Sequence, residues 1–220
     1  MALPKFKKRR HPAQQLLEEL LRFCPFAYNH ADSLRTDQNG PKWPPWCYLP
    51  SNLASSFLPP GFTGEASACL LTWGMCKGIY SFPPDLLRSI TDKAGGNVGC
   101  PVPNSLPEWA VYIETPGLSH GPEQVRGFFA CLDFDAGTND KTVILLLDST
   151  AGLLTHRFLE SSAVPSDLAP FVALLGYLCS NQNAISGKHG QPGNPAPVRT
   201  RDGWQLFPFP GLGTWKAWGL

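Results

Sequence analysis

The chain has 220 residues, of which 43% are hydrophobic, so it can bury a sizeable core in one principal domain. Its 23 prolines and 21 glycines exceed average usage and exclude a compact all-helical bundle, because they predict long loops. The net charge of +1 divides into +5 over residues 1–11, −7 over the middle and +3 over residues 185–220. Basic ends favour contact with a ribosome, mRNA or an acidic partner, although solvated tails account for them equally well.

The cysteines and the apolar segments predict a cytoplasmic protein. Seven cysteines are an odd number without any CxxC pair, which indicates reduced thiols rather than a disulfide framework. The basic start continues into Gln14, Gln15 and Glu18, so it lacks the apolar centre of a signal peptide. The longest apolar run, 171–179, is far below the roughly 20 residues that span a bilayer. We therefore expect no membrane contact and a location in the cytoplasm of a bacterial host cell.

The first half of the chain predicts helices around a long loop. Pro12 opens an amphipathic helix that ends before Pro25. Residues 27–63 are dense in Pro, Gly, Asn and Ser and are expected to form loop, with 42–50 as an ordered stretch held by its aromatic side chains. Helical spacing returns over 64–80, and Pro83-Pro84 opens another helix that Gly95-Gly96 ends.

Four segments with the alternation of half-buried strands follow. In the first of them Trp109, Val111 and Ile113 share an apolar face, while Tyr112 and Glu114 lie on the opposite, more mixed face. Short links rich in turn residues favour consecutive antiparallel pairing. The four segments are 106–115, 126–135, 142–148 and 153–159.

The predicted fold is α+β, with a four-stranded antiparallel meander covered by helices, Pro/Gly-rich loops and flexible tails. A helix after Pro165 is expected to cover one face of the sheet. The domain organisation is a basic leader over 1–11, a single α+β domain over 12–185, and a mostly irregular Pro/Gly-rich tail over 186–220.

The sequence offers little for catalysis. It has no nucleophile elbow, phosphate-binding loop, dinucleotide fingerprint or zinc pattern, and its histidines are scattered. Asp133, Asp135 and Asp148 could gather around Mg²⁺ as in a metal-dependent nuclease, but aspartates beside turns more often cap them. We expect no enzyme and no metal or other cofactor, with the nuclease and a plain nucleic-acid-binding protein as the alternatives.

The aromatic side chains of residues 42–50 are the candidate binding site. Trp43, Trp46 and Tyr48 either offer a stacking surface or hold the loop against the core. Together with Tyr112 and Glu114 on the mixed face, they are expected to line a groove for an extended peptide, in which prolines limit the entropy lost on binding. An acidic body would favour a peptide that contains Lys or Arg.

These segments also resemble a known family, the type V-A anti-CRISPR proteins that suppress the biogenesis of their effector nuclease, carried by phages, plasmids and other mobile genetic elements. Five features match in order between residues 42 and 185. They are WPPWCYLP at 43–50, the stretch 73–80 before the Pro83 helix, LPEWAVYI at 106–113, RGFFA at 126–130, and the helix around 174–179.

The resemblance implies a protein that is not an enzyme. Members of the family recognise the N-terminal segment of the CRISPR effector polypeptide during its translation and thereby cause loss of the encoding mRNA. The resemblance thus implies a nascent effector polypeptide as the partner. This sequence departs from the family at its end, where relatives continue into a longer basic region and this chain has GWQLFPFPG at 203–211.

Overall fold

The fold is known from a computed structural model that describes residues 10–37, 42–57, 62–94, 106–135, 137–159, 162–188, 190–201 and 203–219. Most of the basic leader, residues 1–9, lies outside these ranges, as does the Gly95-Gly96 pair expected to end a helix. Among the described residues, no helix has both the length and the apolar character needed to cross a bilayer.

Six α-helices were found where the structure is described, and four of them were predicted. The helices are α1 Pro12–Phe23, α2 Ala27–Thr36, α3 Ser51–Ala54, α4 Gly64–Cys76, α5 Pro84–Asp92 and α6 Ala169–Ser180. The prediction of loop throughout 27–63 is wrong because α2 and α3 lie within it. Residues 42–50, which we call the aromatic loop, contain neither helix nor strand, as predicted.

Ten strands occur in the described ranges. They are β1 Gly78–Ser81, β2 Ala110–Glu114, β3 Ser119–His120, β4 Glu123–Asp135, β5 Asp140–Ser149, β6 Gly152–Leu159, β7 Ile185–Gly187, β8 Val198–Thr200, β9 Gly203–Gln205 and β10 Gly213–Ala217. The main sheet has the order β6-β5-β4-β2-β1-β10-β7, with β3 paired to β4, and β8-β9 forms a separate hairpin.

The predicted antiparallel meander is present as β2, β4, β5 and β6, but the prediction of a four-stranded antiparallel sheet is wrong. The sheet has eight strands and is mixed, because β1 pairs in parallel with both β2 and β10. Lys77 makes β1 possible by ending α4 in a left-handed conformation, with φ of 56°. The expectation of little regular structure after residue 185 did not include β10, which lies inside the sheet.

Helices cover both faces of the sheet, which gives three layers. One apolar cluster joins α5 and α6 to the face that carries Val111 and Ile113. The other joins α1 and α4 to the face that carries Tyr112 and Phe129. Since α4 lies between the sheet and α1, every residue from 66 to 76 is buried. The mixed face is therefore part of the core and not a free surface.

Candidate functional site

The aromatic loop is held against the body by Arg35 of α2. The Arg35 guanidinium carbon lies 5.7 Å from the ring centroid of Trp43, 5.3 Å from that of Tyr48 and 5.9 Å from that of Trp109. Nη1 of Arg35 also donates to the carbonyl oxygens of Cys47 and Tyr48, at 3.1 and 2.7 Å. Three rings and two carbonyls around one cation fix the loop at this point.

Tyr48 and Trp109 belong to the packing beneath the loop. Tyr48 is buried, and its ring lies 5.4 Å from that of Trp109. Trp109 precedes β2, is half-buried, and donates from Nε1 to the carbonyl of Pro45 at 2.9 Å. It does not share the face of Val111 and Ile113, so that part of the predicted alternation is wrong.

Trp43 and Trp46 are half-buried, and each leaves part of its ring open to solvent. Trp43 donates from Nε1 to the Cys47 carbonyl at 3.1 Å. Trp46 packs edge-on against Phe134, with 6.0 Å between the ring centroids, and Lys141 Nζ lies 5.0 Å from the Trp46 centroid. These two side chains are the accessible members of the predicted aromatic set.

Tyr112 lies in the core and Glu114 lies at the surface. Tyr112 is 1% exposed, its ring centroid lies 4.7 Å from that of Phe129, and its hydroxyl donates to Asp148 Oδ2 at 3.2 Å. Glu114 is half-exposed, with Oε1 3.3 Å from Nε2 of His11. Tyr112 pairs with Phe129 on β4. Since Trp46 packs five residues further along that strand, about 17 Å away, the structure does not bring Tyr112 and Trp46 together.

The three aspartates serve separate local structures. Asp133 is buried and accepts from the backbone N–H and the hydroxyl of Ser51, at 2.9 and 2.7 Å, with Arg157 Nη2 3.3 Å away. Asp148 is buried beside the guanidinium of Arg126. Asp135 Oδ1 accepts from the backbone N–H of Gly137, at 2.8 Å.

These aspartates do not converge on one point. Asp148 pairs with Gly127, six residues along β4 from Asp133, which places the two carboxylates about 20 Å apart. Within the described part of the chain, no three His, Cys, Asp or Glu side chains could together hold a metal ion.

None of the six described cysteines is in a disulfide; five of them are buried and Cys179 is half-buried, in agreement with the prediction from their apolar surroundings. Burial raises the pKa of Cys76 and of Cys179 to about 12, so both remain protonated at neutral pH. A protonated thiol is a poor nucleophile, which disfavours cysteine chemistry at these positions. Cys100 lies outside the described residues.

A first opening lies between α2 and the C-terminal segment, and we call it the α2 groove. Its volume is about 580 Å³, and its walls include Tyr28, Asp32 and Arg35 on one side and Pro197, Trp204 and Phe207 on the other. Trp204 is 65% exposed and Phe207 is 50% exposed. Burial raises the pKa of Asp32, and Arg35 partly offsets that rise. The groove thus combines exposed aromatic surface with one charge of each sign.

A second opening of about 480 Å³ lies where β10 meets the end of α4, and we call it the Glu108 cleft. The Glu108 side chain lines it and is 2% exposed. Burial raises the pKa of Glu108 to about 8, although the nearby Tyr80 hydroxyl, Gly193 backbone and Trp215 indole lower it. Gly78 leaves the space for the carboxyl, because a Cβ there would lie 1.8 Å from Glu108 Oε2.

Neither opening was predicted from the sequence. Both have a wall built from residues 191–213, a segment that Pro and Gly content marked as mostly irregular. The available signal was the concentration of large aromatic side chains in that segment, at Trp204, Phe207 and Phe209. Exposed aromatics beside prolines are typical of binding surfaces.

Residues 80–163 match the AcrVA2-like family, described as the anti-CRISPR type V subtype A2 family. The fold is similar to that in the crystal structure of AcrVA2, with a TM-score of 0.66 over 95% of this chain and 85% of that one, at 14% sequence identity. The resemblance to the type V-A anti-CRISPR family is confirmed. The AcrVA2-like match runs from β1 to just beyond β6, so it contains Glu108 and Tyr112 but neither the aromatic loop nor the α2 groove. No curated protein matches the chain in sequence.

Proposed function

We propose that this chain is an anti-CRISPR protein of a mobile genetic element, either a phage or a plasmid. It binds the N-terminal segment of a type V CRISPR effector while that polypeptide is translated in the bacterial cytoplasm, and loss of the encoding mRNA follows. The chain acts by binding and performs no catalysis. The AcrVA2-like match over residues 80–163, together with the fold similarity to AcrVA2, carries this proposal.

The α2 groove is the surface best suited to hold such a segment. A nascent segment is unfolded and offers backbone groups and side chains to a concave, aromatic surface. Trp204 and Phe207 supply large exposed rings, and Pro197 stiffens the wall that carries them. Rigid aromatic side chains lose little entropy on binding and are frequent among residues that dominate binding energy.

Of the accessible members of the predicted site, Trp43 borders this groove. Arg35 lines the groove and lies 5.7 Å from the Trp43 ring, so Trp43 is its immediate neighbour. Trp46 and Glu114 lie elsewhere on the surface, beside Phe134 and His11 respectively, whereas Tyr48 and Tyr112 are buried. Net negative charge over the middle of the chain favours a segment that contains Lys or Arg.

The alternative functions have weaker support. A metal-dependent nuclease needs Asp133, Asp135 and Asp148 at one point, and the sheet register holds Asp133 and Asp148 about 20 Å apart. A nucleic-acid-binding protein, or a contact with the ribosome or mRNA, would use the basic ends, and its affinity would fall steeply with salt.

A pair of translated reporters tests the proposal in cells. One reporter carries the first codons of a type V effector. The other carries nearly the same nucleotides, read in another frame because one base is inserted before them and one base is deleted after them. We expect the wild-type protein to lower the mRNA of the first reporter and to spare the second, because the encoded peptide is the ligand. Equal loss of both mRNAs would favour RNA recognition, and loss of neither would overturn the proposal.

Surface variants locate the contact. The double variant Trp204→Ser, Phe207→Ser removes the aromatic wall of the α2 groove, while Leu159→Ser removes an equally exposed apolar residue from β6. We expect the double variant to weaken binding of effector N-terminal peptides by about 2 to 4 kcal/mol in calorimetry, and the control to leave affinity unchanged. Equal affinities in both variants would place the peptide elsewhere.

A further inference from the structure

The strand β6 ends the main sheet and leaves one side of its backbone open. In the described part of the chain, β6 pairs with β5 and with no other strand. Its 8 residues keep an unbroken register with β5, and all of them except Phe158 expose part of their surface. The strand at the opposite edge, β7, has 3 residues. The longer edge therefore offers a regular row of backbone groups to another strand.

The turn between β5 and β6 determines which backbone groups of β6 face outward. Ser149 pairs with Gly152 across a two-residue turn, so these two residues exchange backbone hydrogen bonds. Hydrogen-bonded and non-hydrogen-bonded pairs alternate from there along the strands. The residues whose N–H and C=O groups point away from β5 are therefore Leu153, Thr155, Arg157 and Leu159. Among the described residues, the one backbone partner of this outer row is Ser162, whose N–H donates to the Leu159 carbonyl at 3.1 Å.

The edge lacks the features that usually keep the sheets of two proteins apart. Natural edge strands carry lysines, prolines or bulges that prevent pairing with another chain. β6 contains no Lys, Pro, Asp or Glu, and no bulge interrupts its register with β5. Its one permanent charge is Arg157, whose guanidinium contacts Asp133 at 3.3 Å and the Thr142 hydroxyl at 3.1 Å. The strand is therefore open to pairing with another strand.

The sequence of β6 favours a second copy of the same strand as its partner. Two copies that pair antiparallel about a two-fold axis at His156 set apolar side chains opposite each other, namely Leu153 with Leu159 and Leu154 with Phe158. The same axis pairs Thr155 with Arg157, so two outward residues meet and no like charges face each other. An axis at Thr155 would instead set Leu153 against Arg157. The pattern of β6 is thus self-complementary about His156.

We propose that β6 is the interface of a reversible homodimer, in which two β6 strands pair antiparallel about His156 and join two sheets into one. The two pairs between Thr155 and Arg157 contribute about four backbone hydrogen bonds, because each hydrogen-bonded pair exchanges two. One strand from each copy makes a narrow interface, which places the dimer among transient assemblies. The described walls of the α2 groove come from other elements, so the dimer does not depend on the function proposed above.

Cysteine cross-linking of the full chain tests the register. His156→Cys places two thiols at the axis, where the Cα atoms of a non-hydrogen-bonded pair lie about 4.5 Å apart, a distance that a disulfide spans. Thr155→Cys is the matched control, because its two copies lie diagonally, roughly 8 Å apart, and cannot be bridged. With oxidised glutathione as the oxidant, we expect His156→Cys to give at least ten times more covalent dimer than Thr155→Cys or the wild type on non-reducing gels.

Sedimentation equilibrium measures the dimer without a cross-link. We expect the wild-type protein to dimerise as its concentration rises to about 0.5 mM, where assemblies with micromolar Kd are populated. Leu159→Lys adds a charge to the edge and should weaken the dimer at least tenfold, whereas Val198→Lys, at an equally exposed residue of β8, should not. A wild-type protein that stays monomeric, equal cross-linking of the two cysteine variants, or equal dimerisation of the two lysine variants would overturn the proposal.

Discussion

The pH dependence of stability gives a direct test of how Glu108 is buried. Burial raises its pKa from the ordinary value of 4.5 to about 8. Below about pH 4.5 the carboxyl is protonated in both the folded and the unfolded chain, and above about pH 8 it is ionised in both. Between these limits the folded chain binds more protons than the unfolded chain, so the free energy of unfolding falls as pH rises. The full fall is about 5 kcal/mol as an upper limit, because one pH unit corresponds to about 1.4 kcal/mol.

The Glu108→Gln variant removes this loss and keeps the shape of the side chain. Urea unfolding of both proteins at about pH 5.5, 7 and 8.5, followed by tryptophan fluorescence, gives the free energy of unfolding of each. The other titrating groups are common to both proteins, so the difference between them isolates Glu108. We expect that difference to move in favour of the variant by about 3 kcal/mol between pH 5.5 and 8.5.

The control for this experiment is Glu114→Gln, which neutralises a half-exposed carboxylate and should retain the pH dependence of the wild-type protein. A difference between wild type and Glu108→Gln that stays constant with pH would show that Glu108 does not carry a raised pKa. A difference that moves in favour of the wild type as pH rises would show that Glu108 is ionised and paired in the folded chain. Either result refutes the reasoning about the cleft.

Substitutions at two further residues test which polar residues belong to the fold. Tyr112→Phe removes the hydroxyl that donates to buried Asp148 and should lower the free energy of unfolding by about 1 to 2 kcal/mol. Tyr112→Ala also removes the buried ring and should lower it by about 3 to 5 kcal/mol. A stable Tyr112→Ala protein that fails only to bind a partner would show that this residue belongs to the binding site. Asp133→Ala removes the carboxylate that Ser51 and Arg157 contact, and should lower the free energy of unfolding measured by chemical denaturation by about 3 to 5 kcal/mol. Mg²⁺ should not raise the Tm of the wild-type protein. A wild-type Tm that rises with Mg²⁺, and a variant Tm that does not, would support the nuclease alternative.

Local patterns in the sequence located the meander because its strands are long and alternate clearly. The same reasoning missed β1, since Ile79 and Tyr80 continue the apolar pattern of α4 and only the left-handed Lys77 separates the two elements. It missed α2 because Asn29, Asp32 and Ser33 lower the helix propensity of that stretch, although Ala27 and Ala31 are buried at helical spacing. A period of two was present in β10, where Trp215 and Ala217 are buried and Thr214 and Lys216 are exposed.

Pairing across long sequence separations was beyond the reach of such patterns. Tyr80 on β1 pairs with Trp215 on β10, and neither short strand contains a sequence pattern that identifies the other as its neighbour. The burial of Glu108 follows from this pairing together with the missing Cβ of Gly78. The alternation of apolar and polar residues predicted that the mixed face, which carries Tyr112, would be accessible to a partner. In the structure α4 covers this face, because tertiary packing outweighs the local pattern.

The coverage of the sheet decides where a partner can bind. With α5 and α6 on one face and α1 and α4 on the other, the described fold offers a partner only its edges, its loops and the C-terminal segment. That segment is fixed to the end of α4, since the backbone N–H groups of Phe209 and Gly213 donate to the carbonyls of Met75 and Lys77, at 2.9 and 3.1 Å. A loop-rich segment on a rigid scaffold is the usual place for recognition, and here it forms one wall of both the α2 groove and the Glu108 cleft. Substitutions on the sheet faces should therefore report on folding, and substitutions between residues 191 and 213 should report on binding.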